Sequence, residues 1–162
     1  KTNDTERFRI DDNGHVTMPS QSAFSVQLTS EAENKTGNAT GFLLGSLGST
    51  EIFDRSNNVT NFIFTAPITG LYLISVLIMY DGFGSANSGF AQISTSNRTY
   101  QIDLYNPVNS ANVGVNHTVK GTFLCDMDAN DTAQPLLYIN GAGSDSVDIQ
   151  ATETRMSGVL VA

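Results

Sequence analysis

The sequence predicts an all-β protein, an antiparallel sandwich or closed jelly roll that a short β-hairpin precedes. Short runs of β-branched and aromatic residues recur along the 162-residue chain, and clusters of Gly, Asn, Ser and Asp separate them, which is the pattern of strands joined by turns. No segment sustains the i, i+3, i+4, i+7 apolar spacing of an amphipathic helix. Many short strands in one chain of this length fold as a sandwich or a barrel.

The strand pattern is carried by short segments spread over the whole chain. The predicted strands lie at 7–11, 15–18, 23–29, 50–54, 61–66, 71–80, 89–95, 99–105, 115–125, 134–140, 146–152 and 156–161. The segments 31–49, 82–88, 106–116 and 140–145 are rich in small residues and are predicted to be long loops. Binding residues concentrate on loops that a rigid scaffold holds, so these loops are candidate contact regions.

The first two predicted strands form a hairpin whose alternating apolar residues are Phe8, Ile10, Val16 and Met18. A two-residue turn would place Ile10 and Val16 on opposite faces, whereas a three-residue loop at 12–14 pairs them. That loop needs a left-handed last residue, which Gly14 adopts without steric cost. The resulting apolar face lies on an element too small to be stable alone. It therefore needs a cover, either the following domain or sister copies of the hairpin.

The most apolar segment, 71–80, is predicted to be a strand with two apolar faces. Leu71, Leu73, Leu77 and Met79 lie on one side, and Tyr72, Ile74, Val76 and Ile78 lie on the other. One face meets the sandwich core, while the other face of such a strand normally contacts water. Because no helix is predicted that could cover the second face, another subunit is the simplest cover.

The composition fits one globular domain and argues against two classes of partner. Apolar residues make up 40% of the chain and charged residues only 15%, and the formal net charge is -8. An acidic protein whose few basic residues are not clustered repels phosphate, so we predict no nucleic-acid partner. No apolar run approaches the length of a membrane-spanning helix, so we predict no membrane insertion.

The single cysteine and the two histidines are predicted to have structural roles. Cys125 alternates with Phe123 and Met127, so we interpret it as a buried small hydrophobic residue rather than a reactive thiol. His15 and His117 lie far apart in the sequence and have no metal-ligand pattern beside them. We predict both histidines to be ordinary surface residues.

Several segments resemble the globular head of the complement-component-one-q type, in the order AFSVQLTS, EIFDRSNN, FIFTAPITGLYLISVLI, DTAQPLLYI and TRMSGVLVA. That family belongs to the tumour-necrosis-factor-like jelly rolls. The most specific motif is F-T-A-P-x-x-G-x-Y, here Phe64 to Tyr72, and S-G-V-L-V follows near the end. Met156 stands where the family usually has an aromatic residue. The resemblance covers residues 23–162 and implies an antiparallel jelly-roll sandwich that assembles as a homotrimer.

The segment before this head, RIDDNGHVTMPSQSAF, resembles what precedes such heads in bacteriophage tail or head fibres, and DMDANDTA and NGAGSDSVDI also resemble the phage versions. The resemblance implies that residues 1–22 are a hairpin and connector at the end of a fibre shaft. The resemblance also implies a virion protein whose trimeric head binds a host-cell surface receptor during phage adsorption. The implied partners are sister copies, other virion proteins, and a host-cell surface polysaccharide or outer-membrane protein.

Two other functions remain as alternatives at this point. One is a structural virion part, such as a capsid decoration or a fibre cap, that binds no receptor. The other is a secreted animal recognition protein with true glycans. Triplets of the form Asn-x-Ser/Thr are glycan acceptors in such proteins, although an Asn- and Thr-rich chain contains them by chance. They begin at Asn3, Asn34, Asn38, Asn58, Asn97, Asn116 and Asn130.

We predict a non-enzymatic protein because the sequence contains no known catalytic motif. Nucleophile elbows, zinc-protease helices, phosphate loops and Cys/His clusters are all missing from it. Carboxylate pairs for glycoside hydrolysis depend on folding, and no pair stands out in the sequence. The tyrosines could stack on sugars, but most fall within predicted strands, which favours packing: Tyr72, Tyr80, Tyr100, Tyr105 and Tyr138.

Calcium is the one possible cofactor. The segment DMDANDT places Asp126, Asp128 and Asp131 in one predicted turn, and calcium is bound by oxygen ligands of this kind. The segment lacks the glycine and the distal glutamate of a helix-loop-helix calcium site, so a solvated turn is the alternative interpretation. The family resemblance favours the site, since some members bind calcium near the threefold axis.

Overall fold

The structure is a computed structural model that describes residues 6–107 and 116–162. A hairpin of β1 (Arg9–Ile10) and β2 (Val16–Thr17) precedes a sandwich. The strands of the sandwich are β3 (Ala23–Leu28), β4 (Ala32–Thr36), β5 (Thr40–Leu43), β6 (Ser49–Asp54), β7 (Val59–Thr60), β8 (Ile63–Thr65), β9 (Gly70–Asp81), β10 (Ser88–Thr95), β11 (Thr99–Tyr105), β12 (His117–Met127), β13 (Thr132–Asn140), β14 (Val147–Ile149) and β15 (Arg155–Leu160). A 3-10 turn at Leu44–Ser46 follows β5.

The sandwich consists of two antiparallel sheets. The seven-stranded sheet has the order β4-β14-β9-β15-β3-β6, and β12 pairs with β9 in addition. The six-stranded sheet has the order β11-β10-β13-β8-β7, and β5 pairs with β13 in addition. Strands far apart in the chain, such as β3 and β15, are neighbours, as in a jelly roll rather than a series of hairpins. The predicted fold class is confirmed.

The core lies between the two sheets and is filled by alternate residues of each strand. On β9 the inward residues are at most 3% exposed, namely Tyr72, Ile74, Val76 and Ile78. The rings of Phe24 and Phe64 stack with their centroids 4.6 Å apart, and they join the seven-stranded sheet to the six-stranded sheet. Large aromatic side chains dominate the energetics of such a core because each removes much apolar surface from water.

Two glycines of the resemblance motifs are required by close contacts. A side-chain carbon at Gly158 would lie 2.6 Å from the Phe24 ring, and one at Gly70 would lie 2.5 Å from the carbonyl oxygen of Ala162. A larger residue at either position would displace its neighbour in a closely packed interior. Met156, where the sequence departs from the resemblance, is fully buried, and its flexible side chain suits an irregular space.

The hairpin has the predicted register. Ile10 pairs with Val16, and a backbone hydrogen bond of 3.0 Å from Asp11 N to His15 O closes a three-residue loop. Gly14 has a φ of +84°, which is the left-handed conformation that such a loop requires at its last residue. The choice of this loop over a two-residue turn is therefore confirmed.

The prediction of one long loop at 31–49 is wrong. Both β4 and β5 lie within it, and β5 pairs with β13 in the six-stranded sheet. The strand sequences AENKT and TGFL are too short and too polar to show an alternating pattern, so pairing with neighbouring strands rather than local preference places them in the sheets. Most of the predicted loop 106–116 lies outside the described residues. No helix among the described residues is long and apolar enough to cross a membrane.

The cysteine and the histidines follow the predictions in part. Cys125 is buried as predicted, and burial raises the pKa of its thiol to about 11. His15 is exposed as predicted, and its Nδ1 lies 2.8 Å from a carboxylate oxygen of Asp11. The prediction of a surface role for His117 is wrong, because its half-buried ring packs edge-on against Tyr80, and burial lowers its pKa.

Candidate functional site

The outer face of the seven-stranded sheet carries a row of aliphatic side chains. Leu73 of β9 lies between Leu124 of β12 and Val159 of β15. Leu73 is 41% exposed and Leu124 is 48% exposed. The same side of β9 also presents Leu71, Leu77 and Met79. We call this surface the aliphatic face, and it is the second apolar face that the sequence predicted for this strand.

Hydroxyl and basic side chains lie beside the aliphatic row. The hydroxyl oxygens of Ser75 and Thr122 are 2.8 Å apart. One step further along β9, Leu77 is flanked by Lys120 of β12 and Arg155 of β15. An open depression of about 380 Å³ lies among these residues. This part of the aliphatic face is therefore basic, although the whole protein has a formal net charge of -8.

The hairpin presents another apolar surface to the outside. Its apolar residues are between 43% and 60% exposed, namely Phe8, Ile10, Val16 and Met18. The described part of the following domain therefore does not cover them, and a cover by sister copies of the hairpin stays a prediction. The connector is held to the sandwich by a hydrogen bond from the Gln21 side chain to the carbonyl oxygen of Leu160.

The outer face of the six-stranded sheet has a different composition. Phe90 of β10 and Tyr138 of β13 lie directly opposite one another, and their rings stack with centroids 4.5 Å apart and planes 9° apart. Leu104 of β11 lies on the other side of Phe90 and is 68% exposed. The next residues along the strands on this side are Gln92, Gln101 and Leu136. We call this surface the aromatic face.

The carboxylates of the three predicted calcium ligands accept hydrogen bonds from different groups. The carboxylate of Asp131 accepts hydrogen bonds from the backbone N–H of Asp128 at 2.7 Å and from the side chain of Asn97 at 2.5 Å. The carboxylate of Asp126 accepts a bond from Arg98 at 3.3 Å. The third predicted ligand, Asp128, accepts a bond from a threonine hydroxyl at 3.4 Å. These bonds stabilise a tight turn between β12 and β13, and calcium binding there stays a prediction.

A different group of carboxylates comes together at the edge of the seven-stranded sheet. Oxygens of Glu31, Asp81 and Asp148 all lie within 4.8 Å of one another. Burial raises the pKa of the Asp81 carboxyl, and the adjacent Asp148 carboxylate raises it further. Oxygen ligands of this type suit hard cations such as calcium. Sequence reasoning missed this cluster because the three residues are brought together by sheet order and share no local motif.

A hydrogen-bonded aromatic cluster lies at the same end of β9 as Asp81. The hydroxyl group of Tyr80 donates a hydrogen bond to the hydroxyl oxygen of Tyr105, and the ring of His117 packs against both tyrosines. Burial raises the pKa of each phenol, so both tyrosines are neutral at physiological pH. The cluster is a satisfied part of the core, as the packing interpretation of the tyrosines predicted.

Comparison with known proteins identifies the fold. No family model and no curated protein matches the sequence. Murine APRIL superimposes with a TM-score of 0.56 at 9% identity, covering 88% of this chain and 100% of that one. The globular domain of zebrafish complement 1qA protein superimposes with a TM-score of 0.54 at 12% identity, covering 87% and 98%. The fold of this chain is therefore similar to the jelly roll of these two proteins.

At sequence identities of 9% and 12%, these comparisons show a likeness in fold only. The complement-head fold that the sequence resemblance implied is therefore confirmed. The resemblance to bacteriophage fibres, the division at residue 22 and the location on a virion stay predictions.

Proposed function

We propose that the protein is a non-catalytic binding head that assembles as a homotrimer at the end of a virion fibre and contacts a host-cell surface molecule. The observation that carries the proposal is the aliphatic face, where Leu73 and Leu124 are exposed on a sheet whose core is already complete. Full burial of one leucine side chain contributes about 1.5–3 kcal/mol. A surface that presents several such side chains in every copy favours self-association.

The charges on the aliphatic face favour a ring over a twofold dimer. In a twofold dimer the same patch meets itself, so both copies would bring Lys120 and Arg155 into one contact. Like charges brought together in a contact are unfavourable. In a ring, this face meets a different surface of the next copy, and a chain with twice as many acidic as basic residues supplies opposite charge there. The homotrimer implied by the sequence resemblance is such a ring.

The hairpin supports the same assembly. The described part of the sandwich, within 6–107 and 116–162, leaves the apolar residues of the hairpin exposed, and a two-stranded hairpin is marginally stable alone. Three hairpins around one axis would cover one another directly below the ring of heads. One symmetric assembly therefore buries both exposed apolar surfaces, as expected at the end of a fibre shaft.

The host contact is proposed to depend on local complementarity rather than on charge. A net charge of -8 gives no attraction to acidic cell polysaccharide. The predicted loops 82–88 and 140–145 lie side by side, and the Ser85 hydroxyl donates to the carbonyl oxygen of Gly141 at 3.1 Å. Three copies on one axis convert weak single contacts into useful avidity when the target repeats at matching spacing.

The test uses the full chain and three measurements. Light scattering is expected to give about three times the 17.3 kDa chain mass. The labelled trimer is expected to decorate host bacteria, to slow adsorption of the parent virus, and to leave the length of host polysaccharide chains unchanged.

Each alternative gives a different result in this test. A stable monomer contradicts the assembly, and shortened polysaccharide contradicts the non-catalytic assignment. A trimer that neither binds cells nor slows adsorption supports the structural virion part. Glycans found on native material by mass spectrometry, at Asn34, Asn38, Asn58, Asn97 or Asn116, support the secreted recognition protein.

A further inference from the structure

We propose that Asn13 in the hairpin loop is a site of spontaneous covalent modification, where the backbone nitrogen of Gly14 displaces the side-chain amide and an aspartyl or isoaspartyl residue results. Water is the co-reactant, and no enzyme is required. The inference concerns the chemistry of one chain and does not depend on the proposed assembly or host contact. Its support comes from a reactive dipeptide in a weakly held loop, and from a second copy of that dipeptide that the sandwich restrains.

The reaction has two steps. In the first step, the Gly14 backbone nitrogen gives up its proton and bonds to the side-chain carbonyl carbon of Asn13, which closes a five-membered succinimide ring. The bond from that carbon to the amide nitrogen breaks, and ammonia leaves with the proton. In the second step, water opens the ring at one of its two carbonyl carbons. Opening at the side-chain carbonyl gives aspartate, and opening at the main-chain carbonyl gives isoaspartate.

The dipeptide Asn-Gly is the sequence that favours this reaction. Glycine has no side chain to obstruct the approach of its nitrogen to the preceding residue, and asparagine belongs to the thermolabile residues. Two asparagines of the chain precede a glycine, Asn13 and Asn140. The sequence therefore provides two candidate positions of equal chemistry, and their structural surroundings distinguish them.

The surroundings of Asn13 allow the reaction. Asn13 and Gly14 are both exposed, and a side-chain carbon added at Gly14 would meet no atom within 4 Å. The Gly14 N–H donates a hydrogen bond of 3.0 Å to the carbonyl oxygen of Asp11, so the loop must open before this nitrogen can react. The strands β1 and β2 have two residues each, and such a hairpin is marginally stable. Segments of low stability open locally at little cost in free energy.

The surroundings of Asn140 oppose the reaction. Asn140 is the last residue of the nine-residue strand β13, and its carbonyl oxygen accepts a hydrogen bond of 2.9 Å from the Asn87 N–H. A side-chain carbon added at Gly141 would lie 2.8 Å from Cγ of Asn87, and the Gly141 carbonyl oxygen accepts a bond from Ser85. Ring closure turns the peptide group between Asn140 and Gly141. It therefore requires the end of the six-stranded sheet to open.

The products affect the hairpin and leave the sandwich intact. Both place a new carboxylate at position 13 beside Asp11 and Asp12, where like charges are unfavourable. Isoaspartate also adds one carbon to the main chain of a loop that the Asp11 N–H closes through a 3.0 Å bond to the carbonyl oxygen of His15. Loop length sets hairpin register, so the modified hairpin loses its pairing. The buried apolar residues of the sandwich begin at Phe24 and do not include the loop.

The test follows both asparagines in one incubation of the full chain. Samples in native buffer and in urea are kept at the same pH and temperature, and peptide mapping by mass spectrometry measures the conversion of each amide to an acid. In native buffer we expect Asn13 to convert at least about tenfold faster than Asn140, because the hairpin opens more often than the sheet. In urea we expect similar rates at the two positions, since no structure distinguishes them.

Matched variants separate the chemistry from the fold. Asn13→Gln keeps an amide but would need a larger ring, and it is expected to stay unmodified at position 13. Asn140→Gln is the control, and it is expected to leave the rate at Asn13 unchanged. Asn13→Asp reproduces one product and is expected to speed hydrogen exchange at the Asp11 amide without changing the melting temperature of the sandwich.

Two results overturn the inference. One is an intact Asn13 in the native chain after a time that converts it in urea. The other is a rate at Asn140 in the native chain that equals the rate at Asn13, because the structure would then protect neither position more than the other.

The same measurement on Leu73→Asp, which places a charge on the aliphatic face, keeps this inference distinct from the proposed function. If sister hairpins cover one another, Asn13 is expected to convert more slowly in the parent chain than in this variant. Equal rates would contradict that cover and leave the modification site in place. Conversion in the variant alone would overturn the modification site for the assembled protein and support the cover.

Discussion

The two outer sheet faces of this sandwich differ in chemistry, although both sheets contribute buried residues to the same core. On the seven-stranded sheet the outward residues around Leu73 are aliphatic, and Lys120 and Arg155 lie beside them. On the six-stranded sheet the outward residues are a stacked Phe90–Tyr138 pair with amides beside it. The alternation of inward apolar residues largely decides the fold class. The outward residues are therefore free to specify what each face contacts.

The difference indicates two kinds of contact. Leucine side chains contribute apolar surface area to a contact but form no hydrogen bonds. They therefore stabilise the contact only while water is excluded from it, as in a permanent interface. A tyrosine ring flanked by amides offers directional contacts that tolerate water at the rim, as in reversible recognition of a small ligand. We therefore propose the aliphatic face, and not the aromatic face, as the interface between copies.

The largest expected effect is on assembly. Leu73→Asp places a charge in the proposed interface between copies, where an unpaired buried charge costs several kcal/mol, and we expect it to give a monomer in sedimentation at micromolar concentration. The matched control is Leu104→Asp, which makes the same change on the aromatic face at a more exposed leucine. It is expected to remain a trimer. If both variants dissociate, or if neither does, the aliphatic and aromatic faces do not differ in their role in assembly.

The second prediction concerns stability, and its expected effect is smaller. It comes from a substitution in the core between the two sheets. Phe64→Ala removes the ring that stacks on Phe24 between the sheets, and it is expected to lower the free energy of unfolding by about 3–5 kcal/mol. Urea unfolding in the Leu73→Asp background measures this without a contribution from assembly. Phe53→Ala is the control, because Phe53 is 45% exposed; its expected loss is under about 1 kcal/mol. Equal losses would contradict the assignment of Phe64 to the shared core.

A modest pH effect is expected at the edge of the seven-stranded sheet, away from both faces. The folded-state pKa of Asp81 is raised by burial and by Asp148, so stability from this group is full below its unfolded pKa and is lost as pH rises through the folded pKa. Asp81→Asn is therefore expected to raise the melting temperature at pH 7, and this gain should vanish at about pH 3. A lower melting temperature at pH 7 would contradict the assignment. The gain is small because solvent screens a mostly exposed group.

The smallest expected effect concerns the turn that joins the two sheets. If calcium binds at Asp126, Asp128 and Asp131, a chelator is expected to lower the melting temperature by a few degrees, because a ligand bound only to the native state stabilises it. The triple replacement by asparagine should remove this dependence. An unchanged melting curve together with no bound metal in elemental analysis would exclude the site.

Local patterns in the sequence predicted most of the fold. Alternation in 71–80 identified β9 and both of its apolar faces, and Gly14 determined the hairpin register because few residues adopt its φ. Prediction failed where long-range pairing decides the structure. β4 and β5 have no pattern of their own, and His117 is half-buried because β12 begins beside Tyr80.

The candidate sites were less predictable than the fold for the same reason. Glu31, Asp81 and Asp148 meet through the order of strands in a sheet, and Phe90 and Tyr138 meet through the register of β10 on β13. Neither juxtaposition has a signal within a short window of sequence. The predicted calcium ligands, in contrast, lie in one short segment, and local sequence correctly indicated a turn there.

The connection of the hairpin to the sandwich also determines how the head carries mechanical load. The connector enters the sandwich at Ala23, and β3 then runs between β15 and β6, bonded to both. Antiparallel hydrogen bonds lie perpendicular to the strands, so a pull along β3 through the connector loads the bonds on both sides together, in shear. A strand peeled from a sheet edge would instead lose its bonds one at a time. A force applied through this connector would therefore strain the seven-stranded sheet before the sandwich could unfold.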